Sequence, residues 1–193
     1  MVSEDPGASR RALLGSVGAA LAGSSAIALG GCGRRAKTGH RAVKQVARSV
    51  RRRDVEILRR ALEIERRTVA AYIAGIPLLS RPQARAARQF LNQELLHTGE
   101  LLSLIKAAGG KAAPRASSYQ LGHPGDGTEV LQLLHSLEAL QIANYLDAIP
   151  SLSPGPVRAA VSSILANDAQ HISILRLALG RPAVPSAFVT GSE

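Results

Sequence analysis

Gln93-Glu94-Leu95-Leu96-His97 returns 74 residues later as Asn167-Asp168-Ala169-Gln170-His171. In each copy a carboxylate stands three residues before an imidazole. On a helix such a pair leaves one face about one turn apart. Each copy follows an apolar stretch of helical period that carries one carboxylate, Glu65 before the first and Glu138 before the second.

Working outward, the body reads as four helices. The first has an apolar stripe of Val55, Leu58, Leu62, Glu65, Val69, Tyr72, Ile76 and Leu79, with alternating steps of three and four that mark a bundle seam. It starts between about 41 and 54, because Gly39 is the last strong breaker before it. The second helix opens after Arg81-Pro82 and stops at Gly109-Gly110, and its seam includes Phe90, Glu94, His97, Leu101 and Ala108. Residues 109–128 suit a crossover along the bundle. The third helix runs from about Thr128 to Ile149, with Leu131, Leu134, Glu138, Ile142 and Tyr145 inward. The fourth runs from Pro156 to near Gly180, with Val161, Ile164, Asp168, His171, Leu175 and Ala178 inward.

The halves repeat. Glu65, Tyr72 and Ile76-Pro77 are matched at an offset of 73 by Glu138, Tyr145 and Ile149-Pro150. From Pro82 to Glu94 and from Pro156 to Asp168 is 12 residues each, at an offset of 74, so the second loop is one residue longer. The expected fold is all-α, a four-helix bundle of two duplicated hairpins joined by a long crossover.

Six groups that prefer water therefore sit in otherwise apolar seams. An unpaired buried carboxylate costs several kcal/mol or more, and four together repel one another unless protonated or neutralised. No Lys or Arg shares these seams. Two divalent cations would neutralise Glu65, Glu94, Glu138 and Asp168, with His97 and His171 completing the shell. A single Glu-x-x-His arises by chance, and a single seam histidine is usually an ordinary core residue. Six matched positions are harder to explain that way, the alternative being a hydrogen-bonded polar core. Glu63, Glu100, Glu129, His40, His123 and His135 fall off the seams or outside the helices and read as surface.

In these residues the chain resembles the ferritin-like di-iron carboxylate family, over residues 54–180 and at all six ligand positions in order. The tail Val184-Pro185-Ser186-Ala187-Phe188-Val189-Thr190-Gly191 is similar to those of bacterial envelope ferritin-like domain proteins. The resemblance implies two metal ions, iron or manganese. Glu65 and His97 would be terminal on one, Glu138 and His171 on the other, with Glu94 and Asp168 bridging. The family usually has Glu where this chain has Asp168, one methylene shorter, which implies an asymmetric or missing bridge. It also implies that Tyr72 hydrogen-bonds Glu138 and that Tyr145 hydrogen-bonds Glu65. Gln93 and Asn167 stand one turn before each histidine, placed to orient the imidazoles.

The rest of the chain bears on location. Of 193 residues, one is Cys, so no intramolecular disulfide is possible; there is no Trp. The net charge of +10 is concentrated: residues 34–60 carry +9, and 61–193 only +1. A basic stripe on a folded face with aromatics between is lacking, which argues against nucleic acid. Arg10-Arg11 before a run of Ala, Gly, Ser and Leu resembles a twin-arginine export signal, and Leu29-Gly30-Gly31-Cys32 resembles a bacterial lipobox. The alternatives are a plain signal peptide with an incidental Cys, or an N-terminal anchor helix. Residues 1–32 thus form a lipoprotein signal, 33–53 a basic linker or helix extension beside anionic head groups, 54–180 the bundle and 181–193 a tail.

The expected protein is exported and anchored to the cell membrane through lipidated Cys32, facing the periplasm or exterior. As an oxidoreductase it would oxidise Fe(II) or reduce O2 or peroxide. The competing reading is a non-enzymatic envelope bundle that binds a partner or supports the surface; oxidation of an organic substrate is a third. A monomer or dimer is expected rather than a storage cage, since tethering conflicts with a closed shell.

Overall fold

The computed structural model describes residues 36–193, with side chains from residue 51 onward. Arg10, Arg11 and Cys32, and the side chains of the basic segment up to Arg48, lie outside the described residues. The described residues form four helices and no strand: α1 (Ala36–Gly75), α2 (Arg81–Ala107), α3 (Gly127–Ala148) and α4 (Pro156–Ala178). None is long and apolar enough to cross a membrane. The family of folds is the expected all-α bundle.

The starts and stops follow from local chemistry. A capping box of Ser80 and Gln83 opens α2, where the Ser80 N–H donates to Gln83 Oε1 at 3.1 Å. At its other end Gly109 takes φ +78°, and the Gly110 N–H returns to the Ile105 carbonyl at 2.9 Å. Asp126 caps α3 by accepting from the Glu129 N–H at 2.9 Å. Ile76–Leu78 and Ile149–Ser151 form matching 3-10 turns at the tips of the two hairpins, so the sequence duplication is also a structural one. Only a glycine fits at position 75, where an added Cβ would meet Val130 Cγ1 at 2.5 Å.

One boundary differs from expectation. The first helix begins at Ala36 and runs through Gly39. A glycine inside a helix costs only about 1 kcal/mol relative to alanine, too little by itself to break a long helix.

The crossover has few apolar residues, and its carbonyls find partners on α1. Arg59 Nε donates to Lys111 O at 2.7 Å, Arg66 Nη1 to Ala113 O at 2.9 Å and Arg67 Nη2 to Gln120 O at 3.0 Å. Part of the positive charge read in the sequence is therefore structural, a set of clamps that satisfies loop backbone.

Two apolar clusters fill the bundle. One gathers Leu58, Leu62, Leu101, Ile105 and Val161 with Tyr145; the other gathers Leu131, Leu134, Phe90 and Leu175 with Tyr72. The six polar seam residues belong to neither cluster. Within a hairpin the helices pack closely, and the hairpins meet mainly through α1 and α3. The opposite pairing, α2 with α4, is looser.

Two seam assignments fail. Ala178 is exposed, near the last turn of α4. His135, expected at the surface, is buried. Helix α3 carries leucines on more than its inward side, and Leu137 is buried as well as Leu131 and Leu134. Burial lowers the His135 pKa, with Arg181 and Arg176 adding to the effect, and its Nε2 has no hydrogen-bond partner.

Candidate metal centre

Each helix contributes to one buried layer: Glu65 from α1, Glu94 and His97 from α2, Glu138 from α3, Asp168 and His171 from α4. All four carboxylates are 0% exposed, His171 is 1% and His97 is 9%. Their ligand atoms fall into two groups, each within 4.8 Å: Glu94, Glu138, Asp168 and His171, and Glu65, His97 and Asp168. Asp168 is common to both.

The imidazoles aim Nδ1 at the carboxylates. His97 Nδ1 lies 3.4 Å from Asp168 Oδ1, 3.5 Å from Glu94 Oε1 and 3.8 Å from Glu65 Oε2. His171 Nδ1 lies 3.2 Å from Glu94 Oε1 and 3.3 Å from Glu138 Oε1. Its other nitrogen, Nε2, donates to Gln93 Oε1 at 2.7 Å. That bond keeps the proton on Nε2 in the neutral ring and frees Nδ1 to be a ligand. Phe90 stacks on His171 with centroids 4.3 Å apart.

Around the layer, hydrogen bonds hold the back of each glutamate. Tyr72 donates to Glu138 Oε1 at 2.6 Å, and Tyr145 donates to Glu65 Oε1. These reciprocal bonds show α1 and α3 running antiparallel about a pseudo-twofold axis. Gln141 Nε2 donates to Glu94 Oε2 at 2.9 Å, while Gln141 Oε1 accepts from Thr68 Oγ1 at 2.6 Å. Sequence reading missed Gln141 and Thr68, yet a signal existed. Thr68 and Gln141 stand three residues after Glu65 and Glu138, polar groups at equivalent places in the repeat.

Gln93 reaches across to His171, on the other hairpin, not to His97 on its own helix. Asn167, its equivalent, makes no hydrogen bond to either imidazole: its side chain is one methylene shorter.

The charges are strained without a cation. Burial raises the Glu65 pKa well above the usual carboxylate range, with Glu94 and Asp168 adding to it. Burial likewise raises Asp168, helped by Glu138 and Glu94, and raises Glu138, helped by Glu94. For Glu94 burial also acts upward, but the close imidazoles of His171 and His97 outweigh it and hold the group ionised. His171 is opposed by burial, yet Glu138 and Glu94 push it up to about 10.

The unpartnered atoms of the donor set show what it can hold. Glu65 Oε2, Glu94 Oε1, Glu138 Oε2, both Asp168 oxygens and His97 Nδ1 are buried with no hydrogen-bond partner. In each glutamate one oxygen is held from behind and the other is left free. Native interiors rarely leave so many polar atoms unsatisfied, and hard oxygen donors with imidazole nitrogen suit iron or manganese. The residues fit a two-metal centre.

Comparison with known proteins agrees on the fold. The ferritin-like domain profile matches residues 53–181. A conserved hypothetical protein from Mycobacterium tuberculosis superimposes with TM-score 0.63 at 20% identity, covering 70% of this chain and 96% of its own. A ferritin-like, diiron-carboxylate protein from Bacillus anthracis gives 0.61 at 18% identity, covering 67% and 96%. Comparison with curated proteins gives no significant match.

Proposed function

From the premise that the chain belongs to the ferritin-like domain family, we propose that it binds two metal ions, iron or else manganese, and uses them in redox chemistry at the cell envelope. The carrying observation is the set of buried ligand atoms without partners, drawn from all four helices and aimed at one layer. Glu65 and His97 would hold one ion, Glu138 and His171 the other, with Asp168 shared between them and Glu94 nearer the His171 ion. Bound iron supplies reversible ferrous–ferric electron transfer, toward oxidising Fe(II) or reducing O2 or peroxide. Tyr72, Tyr145 and Gln141 hold the glutamates in ligating orientation, and Gln93 fixes the His171 tautomer. The apolar clusters on either side limit water.

Export and anchoring belong to the same reading and rest on sequence. Arg10-Arg11 would direct export, lipidated Cys32 would anchor the chain, and the basic start of α1 would lie against anionic head groups. Cys32→Ala should abolish fatty-acid labelling and move the protein from the membrane to the soluble fraction. Unchanged labelling would refute the anchor.

Metal analysis of protein from its native envelope tests the centre. Two ions per chain are expected, with loss of both in a His97→Ala/His171→Ala double variant and with metal-dependent consumption of O2 or peroxide. Protein that holds no metal after refolding in excess Fe(II) and Mn(II) would remove the reading in favour of a non-enzymatic envelope bundle.

A further inference from the structure

Two grooves run between α2 and α4, and they are copies of one another. One, about 600 Å³, reaches His171; the other, about 730 Å³, reaches His97. Their walls are related by the same 74-residue offset that relates the ligands. Gln93 and Asn167 line both. Where the copies have diverged, they have done so in one direction.

Beside His171 stands Phe90, stacked on the ring, and the equivalent place beside His97 holds Ile164. His171 Nε2 is tied to Gln93, whereas Asn167 ties nothing to His97. One turn beyond His97 the groove carries the exposed carboxylate of Glu100; one turn beyond His171 the equivalent residue is Ile174. His97 is also the most exposed of the six groups. Its metal-ligand group has three side chains, against four around His171.

We propose that the centre exchanges metal through one half only: cations pass in and out along the His97 groove, guided by Glu100, while the ion held by His171 is retained. This rests on the two-metal reading above. Three features act together. A carboxylate at the mouth of a groove raises the local cation concentration. An imidazole without an outer hydrogen bond swings more readily out of coordination. Fewer protein ligands leave fewer bonds to break before the ion departs. The His171 groove lacks all three: Ile174 stands in place of the carboxylate, Gln93 ties the imidazole while Phe90 stacks on it, and the ligand group has four side chains rather than three.

Co(II) serves as the probe, since its visible absorption reports ligation without turnover. The full chain is loaded to two ions, and release to excess chelator is followed by absorbance. Two phases of equal amplitude are expected. Glu100→Gln, a surface change that leaves the fold intact, should slow loading of the fast-exchanging ion by about tenfold at low salt, with the difference shrinking as salt rises. Asn167→Gln lengthens the arm toward His97 and should slow the fast release by about tenfold. Neither should alter the slow phase. Release in a single phase, or loading that is the same in Glu100→Gln, overturns the proposal while leaving two bound ions in place. Absence of any bound Co(II) overturns the two-metal reading itself.

Discussion

Replacing Gln141 by Leu removes a side chain that joins three helices behind the ligands. In the native chain Thr68 of α1 donates to Gln141 of α3 at 2.6 Å, and Gln141 donates to Glu94 of α2 at 2.9 Å. Leu has nearly the same volume, so no cavity opens. The loss falls on Glu94, whose Oε2 keeps its burial and its charge but has no donor. A hydrogen bond to a buried charged group is worth about 1.5–3 kcal/mol. Thr68 adds little, since its single hydroxyl proton can turn to the Ile64 carbonyl, 3.1 Å away. A loss of about 2–3 kcal/mol corresponds to a Tm lower by roughly 4–12 °C for a domain of this size. Metal affinity should fall about tenfold or more, because the free oxygen of Glu94 is no longer held in place. Urea and thermal unfolding by circular dichroism, with and without metal, read both effects. Adding Thr68→Val should cost little further, because the two changes remove one shared bond. A Gln141→Leu protein as stable as the native one in both states, with unchanged affinity, would refute the assignment of Gln141 as the support of Glu94.

Other consequences can be checked on the same preparations. Without metal, Glu65, Glu138, Asp168 and His171 all bind protons more tightly folded than unfolded. Their stabilising effect is full below the ordinary carboxylate values, 3.8 for Asp168 and 4.5 for the glutamates, and fades as pH climbs, with the His171 share lost through about 10. Chelator-treated protein should therefore lose stability from pH 5 to pH 8 in urea titrations, whereas loaded protein should gain or hold it, since metal binding displaces those protons. Tyr145→Phe leaves Glu65 Oε1 without its donor and should weaken metal binding by about tenfold, measured by competition with a chelator. Asp168→Glu inserts a methylene into a packed layer and should destabilise by about 1–3 kcal/mol; a variant of higher Tm that still binds two ions would contradict that packing argument.

The layer of six groups was legible because polar residues in an apolar stripe are conspicuous, and because duplication presents each of them twice. Tyr72 and Tyr145 were reached only through the family resemblance, since a tyrosine in a seam is otherwise an ordinary core residue. Gln141 and Thr68 escaped because each sits one turn from a ligand, at the edge of the stripe, where a polar residue ordinarily meets water. His135 was misjudged because α3 has no single polar face: leucines at 131, 133, 134, 137 and 140 surround it, and period alone cannot rank two apolar faces. Asn167 matches Gln93 in position, yet a single methylene separates a side chain that ties the imidazole from one that does not.

The same arithmetic of methylenes changes the standing of Asp168. The pseudo-twofold axis pairs Glu94 with Asp168 and Gln141 with Thr68. On one side a long carboxylate meets a long amide, and Glu94 has one oxygen held and one free. On the other side both members are short, and Thr68 turns instead to Gln141. Asp168 is left with both oxygens buried and unpartnered, and it alone belongs to both ligand groups. The shorter arm, which from sequence reads as the weak half of the centre, is thus the side chain with the most capacity to face two ions at once. Glu94, supported from behind, has a single free oxygen to offer them. Asymmetry at this centre arises from the supports behind the ligands as much as from the ligands themselves, with Gln141 and Gln93 present on one side and Thr68 and Asn167 too short to replace them on the other.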